Sequence, residues 1–298
     1  MNLSKAPVIL DTDIGTDIDD TWALGLMLKS PELDVKLITT TTGDTHYRAK
    51  IVCKMLDRVR RADIPVGIGI VQEMDLLAKR QAQWVEDYNL DQFRGKIYEN
   101  GIEAIIQTII DSQDVIKLIC IGPLTNINVA IDQEPDIVKN AHFIGMQGSI
   151  YRGYNGQEGI TAEYNVAKDI PAAQKVLSAK WHTITITPLD TCGLIRLQSN
   201  RYQAVKKCQN PIIAAVIENY HKWDKSDKNF EKESTVLFDT VAIYLALSEE
   251  YLVMKEMKIK VDDDGKMRED NSGRSMNVAI DWENKNAFLD FLVARYTE

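Results

Sequence analysis

A chain of 298 residues, 45% hydrophobic and 27% charged, is long enough to bury a substantial core and has the composition of an ordinary globular protein. Its net charge of −9 supplies no basic face of the kind that nucleic acid or an anionic membrane demands, so neither is expected as a partner. Scattered cysteines (Cys53, Cys120, Cys192, Cys208) without a CxxC pair, no apolar run near about 18 residues and no signal-peptide core at the N-terminus lead us to expect a reduced, cytoplasmic protein without a membrane span.

The apolar run Pro7-Val8-Ile9-Leu10 predicts a first strand. It leads directly into Asp11-Thr12-Asp13-Ile14-Gly15-Thr16-Asp17-Ile18-Asp19-Asp20, which holds five carboxylates, and then into a helical pattern with Trp22, Leu24, Leu26 and Leu28. Strand, glycine and helix make this the first βα turn of an α/β fold. It lies at the carboxyl end of a strand, where open sheets bind their ligands. Several carboxylates converging there repel one another unless a cation neutralises them, and oxygen-only donors select a hard ion, Ca2+ or Mg2+. Helix capping by Asp17, Asp19 and Asp20 explains one or two of these acids and leaves the rest unexplained.

Residues 35–42 predict a second strand closed by Gly43-Asp44, then a helix to about residue 60, and residues 64–69 a short third strand. Residues 70–98 are polar, dotted with Trp84, Tyr88 and Phe93, and weakly periodic, the pattern of a lid or substrate loop. A helix over 102–111 leads into a strand over 116–121. After it, Gly122-Pro123-Leu124-Thr125-Asn126 turns into another helix, with Pro123 suited to its first turn. Residues 142–145 predict a further strand and then a loop with Gly148, Gly153, Gly156 and Gly159 that matches no phosphate or dinucleotide fingerprint. One more strand follows over 183–187, and residues 199–247 read as helical with a charged interruption at 224–234. Alternating Met257, Ile259 and Val261, an Asp264-Gly265 turn and alternating Met276, Val278 and Ile280 predict a hairpin, and Phe288, Leu289, Phe291 and Leu292 a final helix. The expectation is one α/β domain over residues 1–298: an open, mainly parallel, Rossmann-like sheet flanked by helices, with a C-terminal antiparallel hairpin at its edge.

The acidic motif is followed in order by Gly122-Pro123-Leu124-Thr125-Asn126, Ala162-Glu163-Tyr164-Asn165 and Phe238-Asp239. Together these resemble the nucleoside hydrolase family, the inosine-uridine-preferring N-ribohydrolases, over nearly the whole chain. The resemblance implies a Ca2+-dependent enzyme of purine and pyrimidine salvage that cleaves the N-glycosidic bond of a ribonucleoside to ribose and free base, as a homodimer or homotetramer. It implies Asp13, Asp20, the main-chain carbonyl of Thr125 and Asp239 as Ca2+ ligands, and Asp13 as general base for a metal-held water that attacks C1′. Asp19, Glu163 and Asn165 would bind ribose hydroxyls, with Asp44 at the substrate end of the second strand. The chemistry is coherent in itself. Three carboxylates and a carbonyl leave several Ca2+ positions for water and hydroxyls, and attack at an oxocarbenium-like C1′ is what glycosidic centres undergo. Asp239 on an apolar helix is the kind of charge that is paired or metal-bound when buried.

Three positions depart from the family pattern. Phe238 stands where many members carry a histidine able to protonate the departing base, Asp44 stands where asparagine is common, and Gly67-Ile68-Gly69-Ile70-Val71-Gln72 replaces a His-Gly-x-x-Gly-Leu segment. The ribose and metal half of the site is matched and the base half is not, which leaves open a leaving group other than a standard purine or pyrimidine. Another side chain, such as His221, Tyr220, Trp223 or Trp84, or solvent is left to assist its departure. Two other readings compete. One is a non-catalytic ribose- or nucleoside-binding protein that kept the metal site. The other is a haloacid-dehalogenase-like phosphatase, suggested by Asp11-Thr12-Asp13 after a strand, although that chemistry wants Thr or Val where Gly15 stands.

Overall fold

The computed structural model describes residues 5–73, 78–223 and 230–298. The chain runs β1 (Ala6–Thr12), α1 (Asp19–Leu28), β2 (Leu33–Thr40), α2 (Thr45–Arg58), β3 (Val66–Ile68), β4 (Ile97–Tyr98), α3 (Gly101–Ile110), β5 (Ile116–Cys120) and α4 (Thr125–Gln133). It continues through β6 (Ala141–Met146), α5 (Tyr164–Lys168), α6 (Ile170–Ser178), β7 (Thr183–Thr187), α7 (Leu189–Cys192), α8 (Ser199–Lys206), α9 (Pro211–Trp223) and α10 (Thr240–Leu245). The last elements are β8 (Leu252–Val261), β9 (Met267–Glu269), β10 (Arg274–Trp282) and α11 (Lys285–Thr297).

Among the described residues these strands form one sheet in the order β4-β3-β2-β1-β5-β6-β7-β10-β8-β9. Neighbours from β4 through β10 pair in parallel, while β8 is antiparallel to both β10 and β9. Strand faces alternate as period two requires. Val8, Leu10, Ile38 and Ile119 enter a core with α1, α2, α10 and α11, and Ile9, Leu37 and Leu118 enter a second with α3, α4 and α6. From β1 the chain moves to β2 on one side, and β5 lies on the other. The carboxyl ends of β1 and β5 therefore flank the switch point of the sheet, where a ligand crevice opens. The C-terminal helix closes over the first: Tyr296 Oη donates to the Trp22 carbonyl (3.0 Å) and the two rings meet edge to face at 5.6 Å.

Mainly parallel sheet, flanking helices and an antiparallel C-terminal excursion are as expected. Local readings differ in four places. Asp264-Gly265 turns β8 into the short edge strand β9, and the expected partner β10 returns between β7 and β8, pairing Met276 with Met257. Pro123 precedes the cap residue Leu124 and so lies outside the first turn of α4. Residues 164–178 hold α5 and α6, split where Asp169 caps α6 and Pro171 enters its first turn. Within 70–98 the chain makes 3-10 turns and β4, and Trp84 is core, not lid. Of the interruption expected at 224–234, residues 224–229 lie outside the described residues.

Candidate active site

A cavity of about 250 Å³ opens at the switch point, walled by Asp13, Asp17, Asp19, Asp20, Glu163, Asn165 and Asp239 and by the apolar faces of Ile121, Met146, Tyr154, Tyr164 and Phe238. Two glycines allow the acidic loop to reach it. Gly15 has φ +120°, and a Cβ there would meet the Tyr47 ring at 2.7 Å. Gly122, in the turn after β5, lies so close that its Cβ would stand 2.9 Å from the Asp13 nitrogen. The loop is then tied from beneath. Buried Arg48 donates from Nη1 to the Ile14 carbonyl (2.9 Å) and from Nε to the Thr42 carbonyl (2.8 Å), while Tyr47 Oη donates to the Gly15 carbonyl (2.9 Å). Arg48 Nη2 donates to Thr16 Oγ1 (3.3 Å) and stands 3.9 Å from Asp13 Oδ2.

Asp19 and Asp20 open α1, Asp239 caps α10, and carboxylate oxygens of the three lie within 4.8 Å of one another. All three are buried, and the Asp19 and Asp239 carboxyls hydrogen-bond to each other. Burial first, and then repulsion from nearby carboxylates (Asp17 and Asp13 on Asp19, Asp13 and Asp19 on Asp20, Asp19 and Asp20 on Asp239), pushes each well above the ordinary carboxylate range. Burial also raises Asp13, against the pull of Arg48. Thr12 Oγ1 donates to Asp20 and fixes its rotamer. Side chains placed this way must share protons or hold a cation, and an all-oxygen donor set fits a hard divalent ion. Asp13 faces the same cavity but stands outside the tight triad.

The other expected residues separate. Glu163 caps α5, accepting from the Gly148 (2.9 Å), Asn165 (2.8 Å) and Val166 (3.3 Å) amides, and burial lifts its carboxyl to about 7. Asn165 Nδ2 donates to the carbonyls of Ile121 (3.3 Å) and Met146 (3.0 Å), which leaves its amide oxygen for the cavity it lines. Thr125 begins α4 with its hydroxyl on Asp169 (2.6 Å), away from the cavity wall. Asp44 also stands off that wall: it caps α2 through the Tyr47 amide (2.9 Å) and pairs with Lys79. Burial alone would raise its carboxyl, but Lys79 and that amide hold it below the usual range. Asp11 lies behind the loop, accepting from Thr39 (2.5 Å) and Asn126 (2.8 Å), and burial lifts it to about 7. None of His221, Tyr220, Trp223 and Trp84 lines the cavity.

Sequence reasoning missed Arg48, Gln81 and Tyr154. Arg48 had a signal, since it falls on the same helical stripe as Ile51, Val52 and Met55, where a charge needs a reason. Gln81 is fully buried and bridges Asp17, Thr21 and Asn219, contacts between distant segments that no local pattern announces.

A family model described as inosine-uridine preferring nucleoside hydrolase matches residues 8–290. The chain is 26% identical over 275 residues to a pyrimidine-specific ribonucleoside hydrolase, RihA, of Salmonella arizonae, covering 87% of this chain and 85% of that one. It is 32% identical over 182 residues to a non-specific ribonucleoside hydrolase, RihC, of Klebsiella pneumoniae, a match that spans 58% of each chain. Its fold is similar to that of a plant nucleoside hydrolase, PpNRh1, with a TM-score of 0.82 at 20% identity over 98% of this chain and 99% of that structure.

Proposed function

This chain belongs to the inosine-uridine preferring nucleoside hydrolase family, and from that premise we propose that it is a Ca2+-dependent ribonucleoside hydrolase, releasing ribose and a free base. The observation that carries the reading is the convergence of Asp19, Asp20 and Asp239 beside Asp13 at the switch point of the sheet. Asp13, Asp20, Asp239 and the Thr125 main-chain carbonyl are the groups that would hold Ca2+. When bound, the ion supplies charge compensation and lowers the pKa of a coordinated water.

The chain's own groups account for the remaining steps. Asp13, kept basic by burial and aimed by Arg48, accepts the proton of the attacking water. Asp19, which lines the cavity beside Asp239, accepts from a ribose hydroxyl. Glu163 and the Asn165 amide oxygen take further hydroxyls, contacts that strengthen as C1′ gains positive charge. Asp44, paired to Lys79, acts on the substrate only through the segment it anchors. On the family resemblance and its four free thiols we place the protein in the cytoplasm as a homodimer or homotetramer serving nucleoside salvage.

The test is ribose release from a panel of ribosides with varied leaving groups, with and without added Ca2+. Phosphate release from phosphomonoesters, with no ribose from any riboside, refutes the reading. Saturable nucleoside binding without turnover would identify a binding protein instead.

A further inference from the structure

Two of the four histidines meet at the amino ends of β6 and β7, the end of the sheet opposite the catalytic cavity. His142 is the second residue of β6, and His182 immediately precedes β7. Their rings stand 4.8 Å apart between centroids and nearly perpendicular, at 89°. Parallel register puts His142 level with Lys117 of β5 and Thr183 of β7. The backbone under His182 is anchored, since its amide donates to the Val138 carbonyl (2.8 Å). His182 is exposed and His142 half-buried, so solvent reaches the pair.

The surroundings favour a ligand nitrogen over a charged ring. His142 Nδ1 shares a hydrogen bond with Thr183 Oγ1. With the proton on Nδ1 and the hydroxyl accepting, Nε2 keeps its lone pair, and the ring has the outer partner that ligating imidazoles ordinarily have. Burial first, then His182 and Lys117, lower the His142 pKa, so the ring is neutral at neutral pH, the form that ligates. The Lys117 ammonium is engaged by the Ala246 carbonyl (2.7 Å) at the end of α10. Two imidazoles on one ion, with metal–nitrogen bonds of about 2.0–2.1 Å and an angle between about 90° and 109°, hold their centroids roughly 4.5–5.2 Å apart. The observed 4.8 Å falls inside that range. Among the described residues no carboxylate joins them, because the one group of three or more clustered ligating side chains is Asp19, Asp20 and Asp239.

We propose that His142 and His182 form a second metal site, which takes one divalent first-row transition ion and completes its coordination with water. Two neutral nitrogens without a carboxylate select Cu2+, Ni2+ or Zn2+ over the hard ions that suit the aspartate cluster, and Cu2+ is bound most tightly of the three. The ion clamps the amino ends of β6 and β7 together. It takes no part in hydrolysis at the carboxyl ends, and the assignment is independent of that reading.

The test titrates Cu2+ into the Ca2+-loaded wild type and into His142→Ala, His182→Ala, Thr183→Val and His221→Ala, and reads the bound ion by electron paramagnetic resonance. The wild type and His221→Ala are expected to hold one Cu2+ per chain with superhyperfine coupling to two nitrogens. Either of the paired histidine variants loses that two-nitrogen signal, and Thr183→Val, which removes only the outer partner, weakens binding about tenfold. His182 is exposed, so its removal leaves the core untouched, and Zn2+ should raise the melting temperature of the wild type but not of His182→Ala. A two-nitrogen signal that survives His142→Ala or His182→Ala overturns the site. So does wild-type copper with oxygen ligands alone, which would mean that the ion had gone to the carboxylates.

Discussion

Asp13 is held by constraints that leave it little freedom: glycine at 122 lets its backbone approach β5, Arg48 lies 3.9 Å from its carboxylate, and Gly15 turns the chain away immediately after it. Burial makes it costly to ionise, so a neutral isostere should fold at least as well. Asp13→Asn is expected to keep or raise the melting temperature while turnover falls by about 10²–10⁴, the worth of a positioned general base. Ribose release and thermal melting check both halves, and a melting temperature lowered along with activity would mean the carboxylate is structural. At this scale the sequence was most informative where residues are neighbours. Spacing alone put five carboxylates into one loop, while the choice of Asp13, Asp19 and Asp20 among them came from the family motif. The Asp19–Asp239 hydrogen bond joins residues far apart in sequence, and only the family motif could anticipate that they meet.

Elements place these residues, and the segment entering α9's neighbourhood shows how. Gln81 donates its backbone amide to Tyr47 Oη (2.9 Å) and Nε2 to the Asp17 carbonyl (2.7 Å), and its Oε1 accepts from Thr21 (3.1 Å) and Asn219 (2.6 Å). Trp223 Nε1 meets the adjacent Thr16 carbonyl (3.0 Å), with the Arg80 guanidinium stacked 3.8 Å above its ring. What reads as a weakly periodic lid is thus bolted at one point to the acidic loop, to α1 and to α9. Gln81→Leu strands buried partners and should cost about 1–3 kcal/mol, seen as a lower urea midpoint with an unchanged slope, together with a higher KM. An unaltered midpoint would mean that water replaces the amide. The strands of the parallel sheet were legible because each is an apolar run flanked by turns. Helices α5 and α6 were not, because α5 is short, Pro171 falls just after it, and neither stretch is long enough to show a period.

Across the whole molecule, alternation of strand and helix predicted the architecture, but pattern alone could not say which strand would be the neighbour of β7. That place goes to β10, so an antiparallel excursion completes a parallel sheet. Charge has global consequences too. Asp19, Asp20 and Asp239 have their pKa raised by folding from 3.8, so in the metal-free protein their contribution to stability is whole below that value and is lost as pH rises through the raised ones. Metal-free protein should melt lower at about pH 7.5 than at about pH 5.5, and Ca2+ should raise the melting temperature more at the higher pH, where ionised ligands await it. Equal Ca2+ shifts at both pH values would contradict this. The seal of Tyr296 on the Trp22 carbonyl extends the same coupling to the C-terminus, because α1 carries Asp19 and Asp20 in its first turn. Whatever steadies α1 tightens the ion, and by reciprocity the ion must steady α11 by the same free energy. Amide exchange across residues 285–297 should therefore slow on adding Ca2+, and Tyr296→Phe should weaken Ca2+ binding by the factor by which it speeds that exchange, making the last helix a reporter of occupancy at the far end of the chain.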